Sequence, residues 1–115
     1  MTPEQIDLAR VLVTHPRFRW AAPMAAEDGD RVWPGRDEHP DGGWRRDGTI
    51  LHDLTDAATA GSLLALLPAA DPGAGWGVSC GPDVGWRATS CDHDLPGATC
   101  GEAVALALLV VWGAP

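Results

Sequence analysis

The sequence predicts an α+β fold, with three helices packed on antiparallel β-hairpins in the order helix-hairpin-helix-hairpin-helix. Three observations carry that expectation. Thr2-Pro-Glu-Gln5 and Thr99-Cys-Gly-Glu102 are capping boxes, each opening an apolar run. After Asp56, residues Ala60, Leu63, Leu64 and Leu67 recur at the spacing of one helical face. Two further stretches are punctuated as hairpins, around Asp47-Gly48 and around Gly81-Pro-Asp83. Runs of this kind pack with helices on one side of an antiparallel sheet. The 115 residues are read as a single domain, 1–115, able to bury roughly 60–70% of its extended-chain surface.

The first helix has Thr2 at its N-cap and Pro3 at N1, and its apolar face runs through Ile6, Leu8, Ala9, Leu12 and Val13. His15-Pro16 ends it, placing His15 as a dipole partner at the helix C-terminus. Arg17-Phe-Arg-Trp20 alternates charge and ring, as an edge strand or extended arm does. Arg31-Val-Trp33 is a short strand, and Trp44-Arg-Arg46 with Thr49-Ile-Leu-His52 forms the first hairpin.

Leu66 widens the stripe of the middle helix, so this helix is expected to be the most buried, and Pro68 is expected to stop it. Gly61 costs about 1 kcal/mol against alanine in a helix interior, so it is read as a close approach of a neighbouring element. Residues 68–75 are a loop. Trp76 to Cys80 and Val84 to Cys91 form the second hairpin, and Asp92 to Ala98 a last loop. Trp33, Trp44, Trp76 and Trp86 are assigned to the core.

The terminal helix, to about Trp112, has no polar side chain from Ala103 onward. Val104, Leu108, Leu109, Val111 and Trp112 fill the arc assigned to the core. Leu106 and Val110 fall on the other side, with Ala103 and Ala107 beside them. Either hairpin tryptophans cover this second side as well, or these four residues form an exposed apolar patch marking a partner surface. Two-fold self-pairing of such a patch makes a homodimer the simpler assembly.

Net charge is −8, and all eight basic residues are arginine. That balance argues against binding nucleic acid directly or an anionic membrane, both of which want a basic face. Residues 1–20 have no unbroken apolar run, and the run from Ala103 to Trp112 is short of the ~20 residues that span a bilayer. A soluble, cytoplasmic protein of the host cell is expected.

The motifs yield no assigned catalytic residue, cofactor or metal. Gly77-Val-Ser-Cys-Gly81 spells the G-x-S-x-G elbow, but that elbow needs a strand turning into a helix, whereas a second strand is expected here. Ser79 is therefore not assigned as a nucleophile. Cys80, Cys91, His93 and Cys100 are soft ligands, yet no C-x₂₋₄-C knuckle joins them, so the cysteines are read as buried, small apolar residues.

His15-Pro-Arg-Phe18-Arg-Trp20, Asp53-Leu-Thr-Asp-Ala-Ala-Thr59 and Glu102-Ala103 together resemble a family of small bacteriophage and prophage proteins of GC-rich bacteria. Its members carry an Asp-Leu-Ser/Thr-Asp-Pro-Ala-Thr helix start, and this chain has Ala57 in place of that proline. The resemblance implies a phage origin and brings no functional residue. With it, the expected function is non-enzymatic binding of a host protein or protein complex, as an inhibitor of a host or defence complex. The alternatives are a virion or assembly component, and a small metal protein or enzyme using the Cys/His cluster.

Overall fold

The computed structural model describes residues 1–19, 24–27, 29, 51–83 and 85–113. Helix α1 spans Pro3–Val13, α2 Ala57–Leu64, and α3 is a single turn, Leu67–Ala70. Strands β1 (Gly77–Gly81), β2 (Gly85–Thr89) and β3 (Asp94–Gly97) follow, and then α4, Cys100–Trp112. The class is α+β, as the patterning predicts. Of the first hairpin, only Leu51 and His52 lie among the described residues; His52 forms an antiparallel bridge with Ala26.

Each long helix starts where its cap dictates. The Thr2 hydroxyl accepts the Gln5 amide at 3.2 Å, and the Gln5 side chain accepts the Thr2 amide at 2.9 Å. Asp56 Oδ2 accepts both the amide and the hydroxyl of Thr59, each at 2.9 Å. Thr99 Oγ1 accepts the Glu102 amide at 3.1 Å, while the Glu102 carboxylate takes the Ala98 amide at 3.0 Å and Gln5 Nε2 at 3.1 Å. Such caps offset the unpaired donors of a first turn, each by about 1 kcal/mol.

The sheet is an antiparallel meander, β1-β2-β3. Gly81 pairs with Gly85 at the tip, and Gly85 takes φ 65°, which a side chain would disfavour. Strand β3 runs where a loop is expected from the sequence. It pairs Trp86 with Gly97 and Arg87 with Pro96, so its proline sits on an edge strand, where proline is tolerated.

The most buried helix is α4, not the middle one. It packs on all three strands and also on α1, α2 and α3. Six of its residues are buried: Gly101, Ala103, Val104, Ala105, Ala107 and Leu108. In α2, by contrast, Leu63 is fully buried and Leu64 only partly. Pro68 ends α2 early but does not leave a loop. The chain turns through Ala65 and Leu66, and Pro68 then sits in the first turn of α3, where no intrahelical amide is needed. Gly61 is exposed, and a methyl group there would meet nothing within 4 Å, so no neighbour approaches it. The close approach is at Gly101, where an added methyl would run into the Leu54 carbonyl.

Helices α1 and α4 run parallel, pinned at both ends. Gln5 and Glu102 join the N-terminal ends. At the other end, His15 Nε2 lies 3.1 Å from the Gly113 carbonyl, and its ring packs on Trp112 with centroids 5.1 Å apart. The Arg17 amide donates to His15 Nδ1 at 3.1 Å, so Nδ1 is the acceptor and Nε2 is left to donate to the Gly113 carbonyl. His15 therefore ties the two helix ends together.

Candidate functional site

The start of α2 and the start of α4 meet over a cleft of about 200 Å³. Three features bring them there. Gly101 lets α4 touch the backbone at Leu54, the Thr99 hydroxyl donates to the Leu54 carbonyl at 2.8 Å, and Asp53 holds the turn that follows through the Thr55 amide at 2.9 Å. Leu54, Ala60, Trp86 and Cys100 line it, with Asp56 and Thr99 among its polar residues. Asp56 and Thr99 are committed to caps, and the Thr55 hydroxyl, which also lines the cleft, donates to Asp53. The cleft is below the ~300–1,000 Å³ of a small-molecule site. It accommodates a single side chain or a few atoms.

Cys100 opens α4, where helix amides would ordinarily favour a thiolate. Burial outweighs them and pushes its pKa up, and the nearby Cys80 adds to the rise. Cys80 and Cys91 are exposed, not buried as the sequence suggests, because one lies on the outer strand near the hairpin tip and the other follows the end of β2. His93, also exposed, stacks on Trp76 with centroids 5.6 Å apart, and Trp76 donates its indole N–H to Asp71 at 2.9 Å. The four Cys/His residues are therefore distributed between the hairpin, the loop after it and α4. Among the described residues, no three or more His, Cys, Asp or Glu side chains are grouped to hold a metal ion.

Ser79 lies in the middle of β1, opposite Arg87, and β1 returns into β2. The G-x-S-x-G letters are therefore a strand and a turn, with no helix behind the serine to supply oxyanion amides.

A comparison with family models, curated proteins and solved structures finds no match.

The apolar patch expected on α4 needs correction. Ala103 and Ala107 are fully buried, Leu106 is half-buried, and only Val110, at 43%, is exposed. The expectation assumed a peripheral helix covered on one side. Instead the sheet covers α4 on one side and the other helices cover it on the other. What remains is a strip of Leu106 and Val110 flanked by Glu102 and Leu109. A stable interface buries about 800 Å² per partner, several times what two partly exposed side chains offer. Trp76, Trp86 and Trp112 are half-buried and pack against the core cluster; Trp20, Trp33 and Trp44 lie outside the described residues. No helix among the described residues is long and apolar enough to cross a membrane.

The cleft itself was not legible. Its signal was the glycine inside Thr99-Cys-Gly-Glu102: glycine in the first turn of an otherwise well-capped helix marks a neighbouring backbone.

Proposed function

We propose that this chain acts by binding another protein through an acidic surface, as a phage-encoded inhibitor of a host or defence complex. The observation that supports the reading is charge. The sequence carries −8 over 115 residues, and Glu4, Asp7, Glu27, Asp83, Asp92 and Asp94 are all exposed. Two of the arginines face acidic partners: Arg10 lies 3.4 Å from Asp7 and Arg87 2.9 Å from Asp94. A surface of this sign repels phosphate backbones and steers toward basic protein surfaces, including those with which other proteins hold nucleic acid.

The test is capture from nuclease-treated host lysate on the immobilised chain, beside a Glu27→Gln/Asp83→Asn/Asp92→Asn variant. Stoichiometric retention of a basic protein, released by moderate salt and weakened in the variant, supports the reading. Equal retention by the variant overturns the role of charge. Retention of nothing by either overturns binding itself.

A further inference from the structure

In the cleft between the starts of α2 and α4, apolar surface and negative charge meet. Leu54, Ala57, Ala60 and Trp86 line it, and at about 200 Å³ it has room for one long side chain. Asp56 belongs to the lining, and Asp53 and Glu102 are the sequence neighbours of the lining residues Leu54 and Gly101. Asp53 Oδ1 accepts the Thr55 amide and hydroxyl, and Glu102 Oε2 accepts the Ala98 amide and the Gln5 side-chain amide. All four donors are neutral, so they leave both negative charges standing. Among the described residues, no arginine lines the cleft.

This combination discriminates among occupants. Two helix starts would draw an anion, but Asp56 caps one and Thr99 with Glu102 serves the other, and the carboxylates repel a second negative group. An aliphatic side chain would fit the apolar wall yet take water from the carboxylates without replacing it, which costs free energy. A lysine ammonium is compact and strongly hydrated, and it offers no flat face to an indole. Arginine answers every part of the cleft. Its stem covers apolar surface, its guanidinium plane stacks on an aromatic ring such as that of Trp86, and its N–H fork pairs with carboxylates.

We propose that the cleft receives an arginine side chain from a basic partner protein, with the stem along Leu54 and Ala60 and the guanidinium between Trp86 and the Asp53–Asp56 turn. The inference rests on the acidic-surface reading and gives that surface an anchor point. Long-range charge brings the partner in, and one buried arginine holds it in register, as arginines seated in pockets do at the centres of interfaces.

The experiment titrates the ¹⁵N-labelled full chain, followed by NMR, with an end-blocked Gly-Arg-Gly peptide. The same peptide with citrulline keeps the shape and removes the charge, and inorganic phosphate probes anion binding. The Trp86 indole and the Thr55 and Gly101 amides report on the cleft, while the exposed Glu4, Asp7 and Asp92 report on general attraction to acidic surface. The expected result is a saturable shift confined to the cleft signals, about tenfold weaker with citrulline because the charged hydrogen bonds are lost. Ala57→Trp should abolish it, since a ring at this exposed first residue of α2 fills the cleft from outside the core. The spectrum of the variant shows directly that it is folded. Asp53→Asn, which keeps an oxygen for Thr55, should weaken binding severalfold. Equal binding of citrulline, cleft shifts with phosphate alone, or shifts spread evenly over Glu4, Asp7 and Asp92 would each overturn the proposal. The acidic-surface reading is separable: a basic protein retained equally by wild type and Ala57→Trp would remove the cleft from the interface and leave the charged surface as the binding site.

Discussion

Lowering the pH should destabilise this protein in a window set by one histidine. His52 is fully buried, and its ring stacks on Phe18 with centroids 5.2 Å apart. Burial holds its pKa at about 4, against an ordinary 6.5, with the Asp53 carboxylate pulling the other way. The folded state therefore refuses a proton that the unfolded chain accepts below pH 6.5. Stability from this residue is complete above pH 6.5, is lost as the pH falls from there, and levels off below about 4. At about 1.4 kcal/mol per pH unit, the full loss is about 3.5 kcal/mol, a large share of the 5–15 kcal/mol typical of a domain. Urea unfolding followed by tryptophan fluorescence at a series of pH values measures it. Carboxylates titrate at the lower end of the window, so the same series on His52→Gln isolates the histidine. The wild type should lose about 3.5 kcal/mol more than the variant between the two limits. Parallel pH profiles for the two proteins would refute the reasoning, as would a His52 ring that titrates near 6.5 by NMR.

Three further substitutions test the packing. Gly61→Ala should stabilise by about 0.5–1 kcal/mol, because the position is exposed, helical and open; a loss on urea unfolding would mean a hidden neighbour. Gly101→Ala should destabilise by about 1–3 kcal/mol, since the new methyl meets the Leu54 backbone rather than a flexible side chain. An unchanged midpoint there would deny the contact that forms the cleft. Leu63→Ala should cost about 2–5 kcal/mol and Leu64→Ala clearly less, in line with full and partial burial. Equal costs would return Leu64 to the core that the helical stripe assigns it.

Local chemistry carried most of the legible part of the fold. Thr2, Asp56 and Thr99 start their helices as caps do, because a cap is decided within four residues. The second hairpin was legible for the same reason, through Gly81-Pro-Asp83 at its tip. Strand β3 was not, because Asp94, Pro96 and Gly97 are poor strand formers and pair only because β2 offers its free edge. Burial misled in the same way. The stripe of α2 and the all-apolar α4 look alike as patterns, and only tertiary contacts place α4 at the centre and so bury Ala103 and Ala107. Gly61 and Gly101 show the limit most plainly. Glycine in a helix announces either a tolerated cost or a contact, and the residue that decides between them at Gly101, Leu54, lies 47 positions away.

The double pinning of α1 to α4 has a kinetic consequence. Gln5 meets Glu102 across 97 positions of chain, and His15 meets Gly113 across 98. Neither bond can form by local zipping; each requires nearly the whole chain to close into a loop first. A peptide as short as α1 has little helicity alone in water, so its order waits for the late partner. Folding dominated by such distant pairings runs in milliseconds to seconds rather than microseconds. Once closed, the arrangement works in reverse: α1 held at both ends has no free end from which to fray, and it should exchange its amide protons only when α4 also lets go.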